Sequence, residues 1–207
     1  MLDNVYKNLT WLGHSSFRLA AAGKNIYFDP FQLSGVLPPA DLIVVSHDHY
    51  DHCSPEDIAK IRKETTVIVT EPQSAQKLSG EIISLAPGES CEAAGFQIET
   101  VASYNTNKNF HPKGNSWLGF VVTVEGVRVY HAGDSDYIPE MKEVKADIAL
   151  LPVSGTYVMT PEEAAQAAID INPAIAVPMH FGSIVGSSAD AERFAALLEG
   201  KIRVEVP

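Results

Sequence analysis

The first two thirds of the chain consist of short apolar runs cut by glycine, proline and polar clusters. In the last third such runs alternate with longer helical patterns. Strands are predicted at Leu9-Leu12 and Ser16-Ala20, on either side of Gly13-His14, and at Asn25-Phe28 after the turn Ala22-Gly23-Lys24. Asp29-Pro30 ends the third of these. Beyond Pro38-Pro39, the run Leu42-Ser46 reads as a buried strand. A helix to about Lys63 follows, with Ser54 as its cap, Pro55 in the first turn, and Glu56 and Asp57 at the positive end of the dipole. Next come a strand at Val67-Val69 and a short helix at Pro72-Leu78. Strands then crowd the middle of the chain: Ile82-Leu85, Ser90-Ala93, Gln97-Val101, Leu118-Val124 and Val127-His131. Glu125-Gly126 forms the hairpin between the last two. After the strand Ile148-Leu151, Thr160 and Glu163 form a capping box that opens the helix Pro161-Ile171. The strand Ala174-Pro178, the helix Ala189-Leu198 and the strand Ile202-Val206 close the pattern.

This order predicts a mixed α/β (α+β) protein of layered sheets with helices outside. No repeat or linker divides residues 1–207, so a single domain is expected. With 45% hydrophobic and 20% charged residues, the composition is ordinary for a globular protein with a sizeable core. The formal charge of -11 argues against a general nucleic-acid binder. It does not exclude an anionic substrate, since bound divalent ions reverse the local field. The two cysteines, Cys53 and Cys91, have no short spacing, which makes a disulfide framework unexpected and a reducing compartment the default. No signal-peptide pattern and no membrane-length apolar run is visible, so a cytoplasmic setting away from membranes is expected.

The candidate chemistry lies where the strands stop. Directly after the apolar run Asp41-Val45 comes His47-Asp48-His49-Tyr50-Asp51-His52, with three histidines and two aspartates in six residues. In extended backbone His47 and His49 point the same way and can share a cation, while Asp51 and His52 can reach a second one. An apolar strand followed by a ligand-type residue occurs twice more, at Val129-Tyr130-His131-Ala132-Gly133-Asp134 and at Val177-Pro178-Met179-His180. Strand ends on one sheet edge converge, so these positions can meet. The long segment Ser103-Ser116, with His111 and Lys113, has the length of a functional loop.

His47-Asp48-His49-Tyr50-Asp51-His52 resembles the H-x-H-x-D-H signature of the metallo-β-lactamase fold superfamily. Asp134 in Gly133-Asp134-Ser135 is similar to that family's bridging aspartate, and His180 in Met179-His180-Phe181-Gly182 to its last ligand. Trp11-Leu12-Gly13-His14-Ser15-Ser16-Phe17 and Phe28-Asp29-Pro30-Phe31 narrow the resemblance to the compact branch of metal-dependent hydrolases related to L-ascorbate-6-phosphate lactonase and N-acylphosphatidylethanolamine phospholipase D. The resemblance spans essentially the whole chain. It implies a four-layer αββα sandwich with two divalent metal ions between the edges of two sheets. Relatives place a third histidine just after the strand that is here Gln97-Val101, where this chain has Ala102-Ser103-Tyr104-Asn105. His111 is the expected replacement, with His14 and His131 as alternatives.

Carried onto this sequence, the resemblance gives His47, His49 and His111 to one ion and Asp51, His52 and His180 to the other, with Asp134 bridging. Zinc is the expected ion for such donors, and the same ligand types accommodate iron or manganese. Two such ions about 3.5–4 Å apart share a water and lower its pKa to about 7, and the resulting hydroxide attacks a carbonyl or phosphorus centre. The expected activity is hydrolysis of an ester, lactone, amide or phosphodiester bond in a small, possibly anionic molecule. Asp51 and His14 are the expected catalytic groups, with His14 binding substrate or protonating the leaving group. Asp29, Lys113 and Tyr157 are expected around the substrate, and Asp29 and Asp48 are also candidates to orient a metal histidine from behind. Two other readings use the same ligands: a non-catalytic metal-binding or sensing protein, and a diiron redox protein. The sequence does not give the oligomeric state.

Overall fold

The apolar faces of the strands turn toward each other in two sheets. The computed structural model describes residues Met1–Pro207. A short helix, α1 (Leu2–Lys7), precedes the first sheet, whose strands are β1 (Leu9–Gly13), β2 (Ser16–Ala21), β3 (Lys24–Phe28), β4 (Ala40–Val45), β5 (Arg62–Thr70) and β6 (Glu81–Ser84). Helices α2 (Pro55–Ile61) and α3 (Pro72–Ala75) lie on either side of β5 in the chain. The second sheet holds β7 (Ser90–Ala93), β8 (Phe96–Ala102), β9 (Leu118–Val124), β10 (Val127–His131), β11 (Ile148–Pro152), β12 (Ile175–Met179) and β13 (Arg203–Val204). Helices α4 (Pro161–Ile171) and α5 (Ser188–Leu198) complete the chain.

Both sheets follow one plan, although no repeat shows in the sequence. Antiparallel hairpins come first, β1 to β3 and β7 to β10, and parallel strands are then added in order. The parallel strands are covered on both faces, which is why their sequences read as unbroken apolar runs. In β4, Leu42 and Val44 face the large core between the sheets, and Ile43 and Val45 face a smaller core under Ile58 and Ile61 of α2. On the far side, Ala164, Ala168, Ala191 and Phe194 of α4 and α5 join the core over the second sheet. The result is the expected αββα layering, and it carries all the parallel strands with their C-terminal ends toward one edge.

The elements differ from the sequence expectation mainly at helix ends. α2 stops at Ile61 rather than near Lys63, because the chain turns extended at Arg62 to pair with Ala40, and Lys63 N donates to Thr66 Oγ1 at 2.9 Å. α3 is a single turn rather than a helix to Leu78. Its first N–H groups are satisfied by the Glu71 carboxylate, and no long apolar face extends it. α1 was not expected. It is held by burial of Val5 against the core, which six residues of local pattern do not announce. The last strand shrinks to Arg203–Val204 at the sheet edge. No helix is long and apolar enough to cross a membrane.

Ile43 is fully buried between the first sheet and α2. Ile43→Ala is expected to lower the unfolding free energy by about 2–5 kcal/mol, through lost burial and the cavity left behind. Urea unfolding checks this, and an unchanged midpoint would contradict the packing of α2 on that face.

Candidate metal centre

The two sheets are tied together where their strands end. Leu118 N, at the start of β9, donates to Ser46 O just past β4 (3.0 Å), and His180 N donates to His14 O (3.0 Å). The close approach depends on Gly133. Its φ is +62°, and a Cβ there would lie 2.7 Å from Leu118 O and 3.1 Å from the Ser46 side chain. His14, Asp29 and His180 are also left-handed, with φ of 51°, 40° and 60°. Such backbone costs about 1–3 kcal/mol per residue and collects at functional sites.

The edge gathers two clusters. His47, His49 and His111 form one, with His47 Nε2 and His49 Nδ1 only 3.1 Å apart. His14, Asp51, His52 and His180 form the other. Asp134 lies between them: Oδ1 is 3.2 Å from His52 Nε2, and Oδ2 is 3.3 Å from His111 Nε2 and 3.1 Å from His180 Nε2. These approaches lack hydrogen-bond alignment, so His52 Nε2, His111 Nε2, His180 Nε2 and Asp134 Oδ1 are buried without partners. A buried polar atom without a partner costs about 1–3 kcal/mol. Several aimed at one space, all imidazole nitrogens and carboxylate oxygens, fit divalent cations.

The outward-facing atoms of these side chains are held by a second layer of groups. His52 Nδ1 donates to Asp29 Oδ2 at 2.7 Å, and Asp29 also accepts from Ser46 N and Ser46 Oγ. His47 Nδ1 lies 2.9 Å from the same Ser46 Oγ, and His180 Nδ1 lies 2.9 Å from Ser154 Oγ. His111 Nδ1 is 3.1 Å from Asn105 Oδ1 and 3.2 Å from Tyr157 O. Partners of this kind fix the tautomer and leave Nε2 free to ligate. Trp117 packs its indole against the rings of His47, His49 and His111, with centroids 4.8, 4.8 and 5.4 Å away.

Burial pushes His47 well below, and His49 below, the usual imidazole range, which keeps them neutral near pH 7. Burial acts on His52 in the same sense, but the Asp134 and Asp29 carboxylates overcome it and hold His52 well above that range. For Asp134, burial favours the acid, yet the neighbouring His180 and His52 imidazoles outweigh it and keep the carboxyl well below its usual value. Asp51 is treated likewise: burial raises it, and the hydrogen bond from His14 Nε2 (3.1 Å) brings it below.

His111 comes together with His47 and His49, His14 sits in the second cluster, and His131 in neither. His131 Nε2 donates to Ser15 O at 2.8 Å, and its ring stacks on Phe28. Asp29, expected either near substrate or behind a histidine, takes the second place, buried behind His52. Asp48 does not back a histidine, because Lys77 Nζ holds its carboxylate at the surface (2.7 Å). Lys113 is turned away from the cleft. It pairs with Glu140 (2.8 Å), bonds Tyr104 Oη, and lines a separate cavity on the outer face of β8 and β9. Tyr157 does line the cleft. Cys53 faces the small core rather than the cluster, and burial pushes its thiol up to about 11.

Sequence reasoning took Asn105 as ordering the long loop or facing substrate, and missed Asp136, the residue that anchors the loop and so delivers His111. Buried Asp136 accepts from Asn105 Nδ2 (3.1 Å), Thr106 N (2.8 Å) and Lys108 Nζ (2.6 Å), which folds the loop back. Asn105 Oδ1 then accepts from both His111 N and Nδ1. The asparagine-rich loop was the available signal, and Asp136 gave none.

The chain is similar to known proteins over most of its length. A family model described as a β-lactamase superfamily domain matches residues 8–180. A UPF0173 metal-dependent hydrolase of Thermoplasma acidophilum is 38% identical, covering 91% of this chain and 89% of that protein. The crystal structure of a Parabacteroides distasonis protein, named among metal-dependent hydrolases, superposes with a TM-score of 0.87 at 34% identity, over 96% of this chain and 91% of that one. Igni18, a metallo hydrolase of Ignicoccus hospitalis, superposes at 0.77 with 25% identity, over 96% and 94%. The chain belongs to the metallo-β-lactamase superfamily, within its UPF0173 metal-dependent hydrolases.

Two outcomes follow from the site. His52 carries a proton near pH 7 before metal binds, and ligation by Nε2 requires that proton to leave. Metal uptake is therefore expected to release protons, and apparent affinity to rise with pH until the raised His52 value is passed. Titration calorimetry in buffers of different ionisation enthalpy checks this, and uptake without proton release would contradict it. Asn105→Ala removes the hold on His111 and is expected to weaken metal binding at the His47–His49–His111 cluster by about 10–100-fold. Metal content after dialysis, with circular dichroism to verify the fold, checks it.

Proposed function

We propose that this metal-dependent hydrolase acts at a dinuclear centre to cleave an ester, lactone, amide or phosphodiester bond of a small molecule. The observation that carries this reading is Asp134, one buried carboxylate whose two oxygens face donors of both clusters. His47, His49 and His111 would hold one ion, Asp51, His52 and His180 the other, with Asp134 shared. Zinc suits this donor set, and iron or manganese are accommodated by the same atoms. When bound, such ions supply a water of lowered pKa and neutralise charge growing on the substrate oxygen.

The protein's own groups do the rest. Asp51 lines the cleft and is ionised near neutral pH, so its carboxylate can take up the proton released on attack and return it to the leaving group. His14, kept neutral by burial, donates from Nε2 to Asp51 Oδ2 and fixes that carboxylate's orientation. Asp29 keeps the proton on His52 Nδ1 and so aims Nε2 inward. Trp117, buried against the rings of His47, His49 and His111, backs the first cluster and helps fix those rings.

Metal-loaded protein assayed against lactones, esters, amides and phosphodiesters tests the proposal. Turnover of at least one class is expected. His52→Ala and Asp134→Asn should each reduce it beyond the about 100-fold typical of losing an outer partner. Full metal occupancy with no turnover across the panel would favour a binding or sensing role instead.

A further inference from the structure

The opening above the histidines is apolar. Seven large hydrophobic side chains are exposed on this chain, and three of them, Tyr50 (68%), Phe110 (52%) and Ile184 (38%), stand together around the cleft. Single exposed apolar residues need no explanation, but a cluster at a site mouth does. They come from separate segments: Tyr50 from the loop after β4, Phe110 from the β8–β9 loop, and Ile184 from the β12–α5 loop. Tyr157, from the β11–α4 loop, meets Phe110 edge-on at 4.6 Å, and Tyr50 meets Phe31 at 5.9 Å. The remaining lining consists of His49, Asp51, His111 and Asp134, so no lysine or arginine faces the opening.

Lys108 and Lys113, which flank Phe110 and His111 in the sequence, and Lys77 are engaged elsewhere. Lys108 Nζ lies 2.6 Å from buried Asp136, Lys77 Nζ 2.7 Å from Asp48, and Lys113 Nζ 2.8 Å from Glu140. The chain as a whole carries -11. An anionic group on the part of the substrate against the rim, away from any bound ion, would find no cationic side chain here and would meet the field of an acidic protein, which ions in the donor cluster would offset only beside the scissile bond. The cleft encloses about 260 Å³. A cavity of roughly 150 Å³ holds a benzene ring, so the space suits one ring and a short polar arm reaching the donor cluster.

We propose that the substrate is a neutral small molecule with an aromatic ring next to the bond that is cleaved, and that Tyr50, Phe110, Tyr157 and Ile184 select it. This inference rests on the hydrolytic reading of the same cleft and narrows its substrate class. It also narrows the sequence expectation, which left an anionic substrate open and placed Lys113 beside it.

Three hydroxamates separate the possibilities by affinity alone, without turnover. Zinc-loaded protein is titrated calorimetrically with benzohydroxamate, acetohydroxamate and 4-carboxybenzohydroxamate. Benzohydroxamate is expected to bind at least about tenfold tighter than acetohydroxamate, because the ring is buried against the apolar wall. The carboxylated analogue should bind several-fold more weakly than benzohydroxamate. In Ile184→Ser the ratio of the first two affinities should fall about threefold. Equal affinities for the ring and the methyl group, tighter binding of the carboxylated compound, or no binding of any of the three would overturn the proposal. Hydrolysis of phenyl acetate and of a carboxylated phenyl ester is then measured on the same protein. The ring preference without turnover would remove the hydrolytic reading and leave the aromatic recognition. Turnover that favours the carboxylated ester would keep the hydrolytic reading and overturn the neutral substrate.

Discussion

The structure turns on a buried carboxylate. Asp134 is almost wholly removed from water and faces the Nε2 atoms of His52, His111 and His180, three nitrogens with no aligned partners. A charge buried this way is tolerated only when opposite charge and directed donors surround it. Without metal, the protonated His52 serves that purpose. A divalent cation held among these atoms would supply the same compensation. The surrounding architecture keeps these atoms at a separation that a cation can satisfy.

That requirement explains features which are unfavourable taken singly. His14, Asp29 and His180 adopt left-handed backbone, and Gly133 lets two sheet edges meet where no side chain would fit. The cost is borne by a rigid frame: strands covered on both faces, a core that runs from α1 to α5, and backbone hydrogen bonds from β9 to Ser46 and from His180 to His14. Stiff strands set where the ligands begin, and short polar contacts from Asp29, Ser46, Ser154 and Asn105 set how each imidazole is turned. The loops that rim the opening carry apolar side chains instead. Donors and rim are interleaved in the sequence, Tyr50 lying between His49 and Asp51 and Phe110 directly before His111, so the same segments present both.

Much of the fold was legible because burial imposes a period. Leu42, Ile43, Val44 and Val45 read as one apolar run because both sides of β4 are covered, and the capping box at Thr160 marks the start of α4 without further context. Helix ends were less legible. Nothing local says that Arg62 should turn extended to pair with Ala40, or that α3 should stop after one turn. The first helix is held by burial of Val5, a contact whose partner surface forms only on folding.

The sequence by itself determined the strands, their order, and the His47–His52 cluster, because alternation and capping act over a few residues and the motif lies on one strand end. Only the tertiary structure decided which histidine joins His47 and His49. His111 lies in a loop whose path is fixed by the buried carboxylate of Asp136, far along the chain, acting through Asn105. The same holds for Asp29, drawn behind His52, and for Lys113, drawn to Glu140. The direction of a loop side chain is set by long-range hydrogen bonds and ion pairs, and those partners meet only once both sheets have closed.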